Sequence, residues 1–332
     1  MPILNKEQPF DGIEVLKGLR EFITLATQNY GSTEAVRPPH RAKFHWPPHP
    51  VSYEYHVLGS DWTGETTMVV RDESFQVRVA KTHFGVFGRC DDLWNEARGE
   101  NEHEMLSELA KASEPLFQRQ LSISKSIGHS ARFKGDIRDL PPLDLLKLFY
   151  CEDRDVANSA HLLVEVSKHR TSYFPALCHI LKDRTHPWRR SAQWCVLDLF
   201  EDLPSFTKSE QDEFEAVEAM KSLLMDAEDD YARTVYKAGV VMGGHLPHRR
   251  GNNALLECLD SPSLVGRRSA IHGLFHVCEW VPELADDVVH KLRDHGKSEP
   301  DPQLAIFSFA IAEDILRKTI DHTPEPVFRF EK

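Results

Sequence analysis

The sequence predicts a mainly α chain: a small α+β module over residues 1–140, followed by an α-solenoid of about five helical pairs over 141–332. Three observations predict it. Apolar residues recur at helical spacing through most of the chain beyond residue 142. Period-two alternation is confined to about residues 51–90, between two helical stretches. A small residue opening an apolar helix returns at Ala160, Ala192, Ala238, Ala270 and, less clearly, Ala305, with spacings of 32, 46, 32 and 35.

In chain order, "DGIEVLKGLREFITLATQNY" (11–30) reads as an amphipathic helix capped by Asp11 and ended by Gly31, with an apolar stripe of Ile13, Leu16, Leu19, Phe22, Ile23 and Ala26. Residues 32–50 carry two Pro-Pro pairs, which remove backbone donors and bias their predecessors away from helix, so an extended strap is expected. "VSYEYHVL", "ETTMVVR", "SFQVRVA" and the shorter "HFGVFGRC" are the strand candidates, and together they suggest an antiparallel meander of three or four strands with one covered face. Residues 100–122 return to helical period, with Pro115 a possible kink. The polar, Gly- and Pro-punctuated stretch 126–142 reads as a linker.

Beyond the linker each unit reads as an apolar helix, a short turn with Asp or Pro, and a second helix opening on Arg and a small residue. "WRRSAQW" and "GRRSAIHG" are the clearest copies, their Arg-Arg-Ser-Ala cores 78 residues apart. The long interval of 46 contains "PSFTKSEQDE", read as a loop insertion. The Ala is small because the two helices of a unit cross closely there. Arg189 and Arg267 fall three residues earlier, on the same helical face. Arg190 and Arg268, the second of each pair, are not required by that packing.

The pattern L-x-x-x-L-x-D followed by (V/W)-R-x-x-A-x-x-x-L resembles HEAT repeats. More narrowly, it resembles the short bacterial HEAT-like repeats named after phycobilisome lyases, over roughly 142–320. The resemblance implies that Arg189 and Arg267 bridge units to an acidic residue in a neighbouring turn. Asp183, Asp229 or Asp230, and Asp260 are the matching positions. The third copy carries Arg233 five residues before Ala238 and the fifth carries no Arg, so both depart from the pattern. Such repeats serve scaffolds, adaptors, chromophore lyases and a few enzymes, so the resemblance speaks to architecture more than to activity.

Composition sets the boundaries. Residues 1–140 hold 17 Lys+Arg against 20 Asp+Glu and the rest 23 against 32, within a net charge of −12. That balance opposes nucleic-acid binding, which needs a basic face. No apolar run reaches the roughly 20 residues of a membrane span, and the start lacks a signal-peptide pattern. The six cysteines form no Cys-x-x-Cys pair and three lie inside apolar helices, which suggests reduced, buried thiols and a cytoplasmic protein. No phosphate-binding glycine loop and no nucleophile elbow is present. Ser191 and Ser269 follow Arg-Arg, as in a basic phosphorylation context, but their place at a helix start favours buried capping.

The histidines carry the remaining chemistry. His272 and His276 share a helix face at i, i+4, and His245 lies one unit earlier. Such a set can hold a metal, but no His-Glu-x-x-His arrangement is present and the helix is otherwise apolar. A packed or partner-facing His pair is the reading favoured over metal. His40, His45, His49 and His56 sit in and after the strap, where proline stiffness holds ligands apart. Large aromatics mark the second helices: Trp188, Trp194, Tyr231, Tyr236, Phe275 and Trp280. In a solenoid those helices line the concave face, and aromatics mixed with Arg suit protein docking. The expectation is therefore a scaffold without a cofactor, contacting another protein through Arg190, Trp194, Tyr236, Arg268, His272 and His276. The resemblance alone adds a second, a tetrapyrrole-holding factor of the lyase type. A metal-dependent enzyme using His245, His272 and His276 is the third.

Overall fold

The computed structural model describes residues 8–30, 62–227, 232–247 and 249–321. The Pro/His-rich strap, the candidate strand 51–58, Gly31, Asp229, Asp230 and Tyr231 lie outside these residues. The chain divides into two compact units, one formed by 39–163 and one by 1–38 with 164–332. Among the described residues are twelve helices and one four-stranded sheet.

The sheet belongs to the unit 39–163. Strands β1 (Trp62–Val70), β2 (Glu73–Thr82), β3 (Gly85–Cys90) and β4 (Asn95–Gly99) follow one another in an antiparallel meander. Alternate residues of β2 are buried, as period-two patterning requires. They face helix α2 (Glu102–Ile127) across a core of Met68, Phe75, Val77, Met105, Leu109 and Phe117. Phe75 and Phe117 meet edge to face at 5.4 Å. The Arg132 guanidinium lies 4.2 Å over the Phe75 ring and pairs with Glu73 and Asp92. Asn101 caps α2 by accepting the Glu104 N–H, and Gly128 ends it at φ +78. Strand β4, "NEARG", was not among the strand candidates. It has no apolar run to announce it and is held by pairing with β3 and by close approach to α2. A Cβ at Gly99 would run into the Met105 backbone.

Residues 126–142 are not a linker. Ile137 and Leu140 are buried, and helix α3 (Pro142–Leu148) begins directly afterwards. Helix α1 (Gly12–Tyr30) does not join the sheet either. It packs along α5 (Arg170–Lys182) in the other unit, with Gly12 against the Ser172 carbonyl, Phe10 on Tyr173, and Phe22 on His186. The units therefore divide differently from the expected 1–140 and 141–332: the sheet-bearing unit interrupts a helical one. The buried stripe of α1 runs through Val15, Leu19, Ile23 and Ala26, while Ile13 is exposed. Asp11 accepts the Ile13 N–H as its cap.

The remaining helices are α4 (Arg154–Glu165), α6 (Arg189–Leu199), α7 (Glu210–Met225), α8 (Ala232–Val240), α9 (Arg249–Cys258), α10 (Leu264–Trp280), α11 (Ala285–Ser298) and α12 (Pro302–Asp321). From α5 onward the helices contact one another in four consecutive pairs, α5–α6, α7–α8, α9–α10 and α11–α12. The anchoring residues Ala160, Ala192, Ala238 and Ala270 are fully buried, in α4 and in the second helices α6, α8 and α10, whereas Ala305 of α12 is half-buried. In α12 the buried small residue is Ser308, whose hydroxyl donates to the Leu292 carbonyl at 2.8 Å. The expected loop "PSFTKSEQDE" is in part structure: Phe206 is buried beside Phe200, and Glu210 opens α7.

Helices α8 and α10 run in the same direction, because Gly239 meets Ser269 and Gly243 meets Gly273 one turn later. The Ser269 hydroxyl donates to the Val235 carbonyl at 2.8 Å across this crossing. Ser191 and Ser269 are thus buried as expected, but Ser269 ties two helices together and does not cap its own. The first helices show the same direction: the Ser261 hydroxyl donates to the Leu224 carbonyl and the Arg184 guanidinium to the Ser222 carbonyl, both at 2.8 Å.

Gly243 tests this close approach. A Cβ there would penetrate the Gly273 carbonyl, whereas one at neighbouring Gly244 would meet nothing within 4 Å. Gly243→Ala is expected to cost about 2 kcal/mol, overpacking outweighing the gain in helix propensity of roughly 1 kcal/mol. Gly244→Ala is expected to be neutral or slightly stabilising. Equal midpoints for the two variants in urea melts would contradict the crossing.

Candidate functional site

Four of the expected site residues converge on one cluster, built by α8, α10 and α12. Helix α10 supplies Arg268, His272 and His276 at successive turns of one face, followed by Glu279. Tyr236 comes from α8 and Lys318 from α12. The Gly-to-backbone crossing of α8 and α10 brings the Tyr236 and His272 rings to 4.4 Å, nearly parallel. His272 meets His276 edge-on, with the two Nε2 atoms 3.0 Å apart. His276 Nδ1 lies 2.8 Å from Glu279 Oε2, and Lys318 Nζ donates to Glu279 Oε1 at 2.6 Å.

Burial would raise the Glu279 pKa, but hydrogen bonds from His276 and Lys318 outweigh it and lower it. The ionised carboxylate accepts from His276 Nδ1–H. A single hydrogen lies between the two Nε2 atoms, so one imidazole donates to the other. Burial, helped by the His276 charge, pushes the His272 pKa down to about 3. His272 is therefore neutral at physiological pH and half-buried, while His276 behind it is 2% exposed. The result is a carboxylate–imidazole–imidazole chain whose outer ring, His272, is neutral and partly exposed. Exposed Arg268 stands one turn before it, with its guanidinium 5.5 Å over the Phe307 ring.

The other expected contacts sit elsewhere. Arg190 is not on a surface: it is 1% exposed. Its Nη1 donates to Gln193 Oε1 at 3.0 Å, and Gln193 Nε2 in turn donates to the Leu181 and Asp183 carbonyls at the end of α5. Trp194 is half-buried, with Lys237 Nζ 4.6 Å over its ring and the same ammonium paired with Asp198 and Glu201. His245 is exposed on a π-turn after α8. Among the described residues no group of three or more His, Cys, Asp or Glu side chains is placed to hold a metal ion, so His245 does not join His272 and His276. Those two rings bind each other and do not aim at a common point.

Of the two expected bridging arginines, Arg267 takes a different partner. Arg267 makes the expected contact to a neighbouring turn, but its partner is Glu299, bound through Nε at 2.8 Å and Nη2 at 2.9 Å. Asp260 is exposed and is not that partner. Asp183 caps its own turn, accepting from the Thr185 and His186 N–H groups. Arg189 is 1% exposed and donates to the His186 carbonyl.

All six cysteines are buried and unpaired with one another, and burial pushes the thiols of Cys178, Cys258 and Cys278 up to about 12. A thiolate nucleophile is disfavoured at each of these. Sequence reasoning missed Glu279, Lys318, Lys237 and Phe307. The His-x-x-Glu spacing of His276 and Glu279 was a readable signal; the α12 residues have only their offset of one unit to mark them. Among the described residues no helix is long and apolar enough to cross a membrane. Comparison with known proteins finds no significant similarity to any family model, curated protein or solved structure.

Proposed function

We propose that the helix pairs from α5 to α12 stack as a HEAT-like solenoid and that the chain is a protein-binding scaffold, docking its partner on the face of the second helices. One observation carries this reading: aromatic and basic side chains interleave across α6, α8, α10 and α12. Trp194 takes Lys237, Tyr236 stacks on His272, Phe307 takes Arg268, and Phe275 takes Lys318. Trp194 and Phe307, held by neighbouring cations, and Tyr236, stacked on His272, are already ordered, so a partner binding them loses less side-chain entropy to them. Tyr, Trp and Arg are also the residues that most often dominate docking energies. The like direction of successive second helices supports the stacking, since it sets equivalent residues side by side.

The test is affinity capture with the full chain, read by its variants. Arg268→Glu and Tyr236→Ala are each expected to weaken a captured partner about 10- to 100-fold. Leu25→Ser, which alters a 57% exposed residue on α1, is expected to leave it unchanged. A partner held equally by Arg268→Glu, Tyr236→Ala and the parent chain would move the interface away from this face.

A further inference from the structure

The unit 39–163 contains a cavity of about 70 Å³, open at one side, between α2, α4, the β3–β4 turn and the connection before α3. Its walls are apolar: Leu93, Trp94, Leu116, Ile123, Ile137 and Val156. The charged groups around it are neutralised locally, Arg119 by Asp155 and Arg138 by Asp136. The cavity therefore offers no unpaired charge, and an ion entering it would lose hydration without a counter-charge.

Two features set this cavity apart from a packing gap. Gln120 lines it, and its Nε2 donates to the Asp92 carbonyl at 2.6 Å, but its Oε1 is buried without a hydrogen-bond partner among the described residues. A buried acceptor left unpaired costs about 1–3 kcal/mol, which a donor on a bound molecule would remove. The second feature is Trp94, the last residue of the β3–β4 turn, held at φ +52. That left-handed position suits Gly or Asn, and a bulky residue there costs roughly 1–2 kcal/mol. The strained backbone puts an indole on the cavity wall, with the Arg138 guanidinium 5.7 Å over its ring. Strain of this kind clusters at ligand sites.

We propose that this cavity binds a single neutral ring bearing one hydrogen-bond donor, of the phenol class, with Gln120 Oε1 accepting and Trp94 forming the aromatic wall. The volume sets the size. A closed apolar cavity of about 150 Å³ takes a whole benzene, so 70 Å³ with an open mouth takes one ring partly inserted and nothing larger. This assignment is independent of the docking face on the other unit.

Ligand-observed ¹⁹F NMR on the full chain, comparing 4-fluorophenol with 4-fluorotoluene, tests it. The parent chain is expected to bind both saturably, with the phenol about fivefold tighter, the worth of one net hydrogen bond. Gln120→Leu is expected to remove that preference while toluene binding persists. Val156→Phe fills the cavity and is expected to abolish both. Trp94→Gly suits the left-handed backbone and is expected to weaken both about tenfold or more, which provides a folded control should Val156→Phe misfold. Absence of saturable broadening at millimolar ligand would overturn the proposal. So would binding that survives both Val156→Phe and Trp94→Gly, or a phenol preference that survives Gln120→Leu.

Discussion

Glu299→Ala is expected to lower the unfolding free energy by about 3–5 kcal/mol, the range for removing one partner of a buried ion pair. The Glu299 side chain is 1% exposed and that of Arg267 15%. The carboxylate accepts from Arg267 through both oxygens, from the Asp301 N–H at 3.0 Å, and stands 3.1 Å from His295 Nε2. Alanine would strand the guanidinium with only the Ser261 and Pro262 carbonyls as acceptors. The pair joins the opening of α10 to the turn between α11 and α12, so the last helix pair is expected to lose hydrogen-exchange protection first. Replacing both partners by apolar residues, Arg267→Met with Glu299→Leu, is expected to cost less than Glu299→Ala alone, because no charge is left buried. Urea denaturation at neutral pH measures all three chains. A Glu299→Ala loss below about 1 kcal/mol, or a double variant worse than the single, would refute a buried bidentate bridge.

That bridge also shows where the sequence could be read and where it could not. The small residues at Ala160, Ala192, Ala238 and Ala270 were legible because helix crossing selects for size locally, and all four are fully buried. The kind of contact made by Arg267 followed from its place on the helix. Its partner did not, because Glu299 closes a helix at a distance set by the length of the intervening pair, and that length varies between units. Arg190 misled for a related reason. Packing within its own pair does not need it, yet Gln193, one turn on, ties it to the carbonyl end of α5. The allegiance of α1 was equally hidden. Its amphipathic stripe says that one face is buried, but only the approach of Gly12 to Ser172 says against what. Of the candidate site, the i, i+4 histidines and the phase that sets Tyr236 beside His272 were visible, whereas Lys318 lies 39 residues from the Glu279 it binds.

Acidification from pH 7 to 5 is expected to remove about 4 kcal/mol of stability through His272 and His186. Burial pushes His272 down to about 3 and His186 to about 4, against an ordinary value of 6.5. For His186 the geometry gives the same answer: it is 4% exposed, and its Nδ1 accepts the Trp188 N–H at 3.0 Å, which requires an unprotonated nitrogen. Below pH 6.5 the unfolded chain takes up protons at these positions and the folded chain does not. Stability therefore falls with falling pH, by about 1.4 kcal/mol per pH unit for each histidine. At pH 5 that amounts to roughly 2 kcal/mol apiece. The depressed carboxyls of Glu279 and Glu299 act in a lower window: their contribution is present above their unfolded pKa near 4.5 and is lost only as pH falls below it. The loss between pH 7 and 5 is thus a histidine effect. His272→Phe keeps a ring against Tyr236, and His186→Phe keeps one against Phe22. Each is expected to lower stability at pH 7 but to reduce its further fall to pH 5, and the double variant to leave only the share of His179 and His295, which burial also depresses. Urea melts at the two pH values read the difference directly. A double variant that loses as much stability as the parent between pH 7 and 5 would place the titrating groups elsewhere and leave the neutral state of His272 without support.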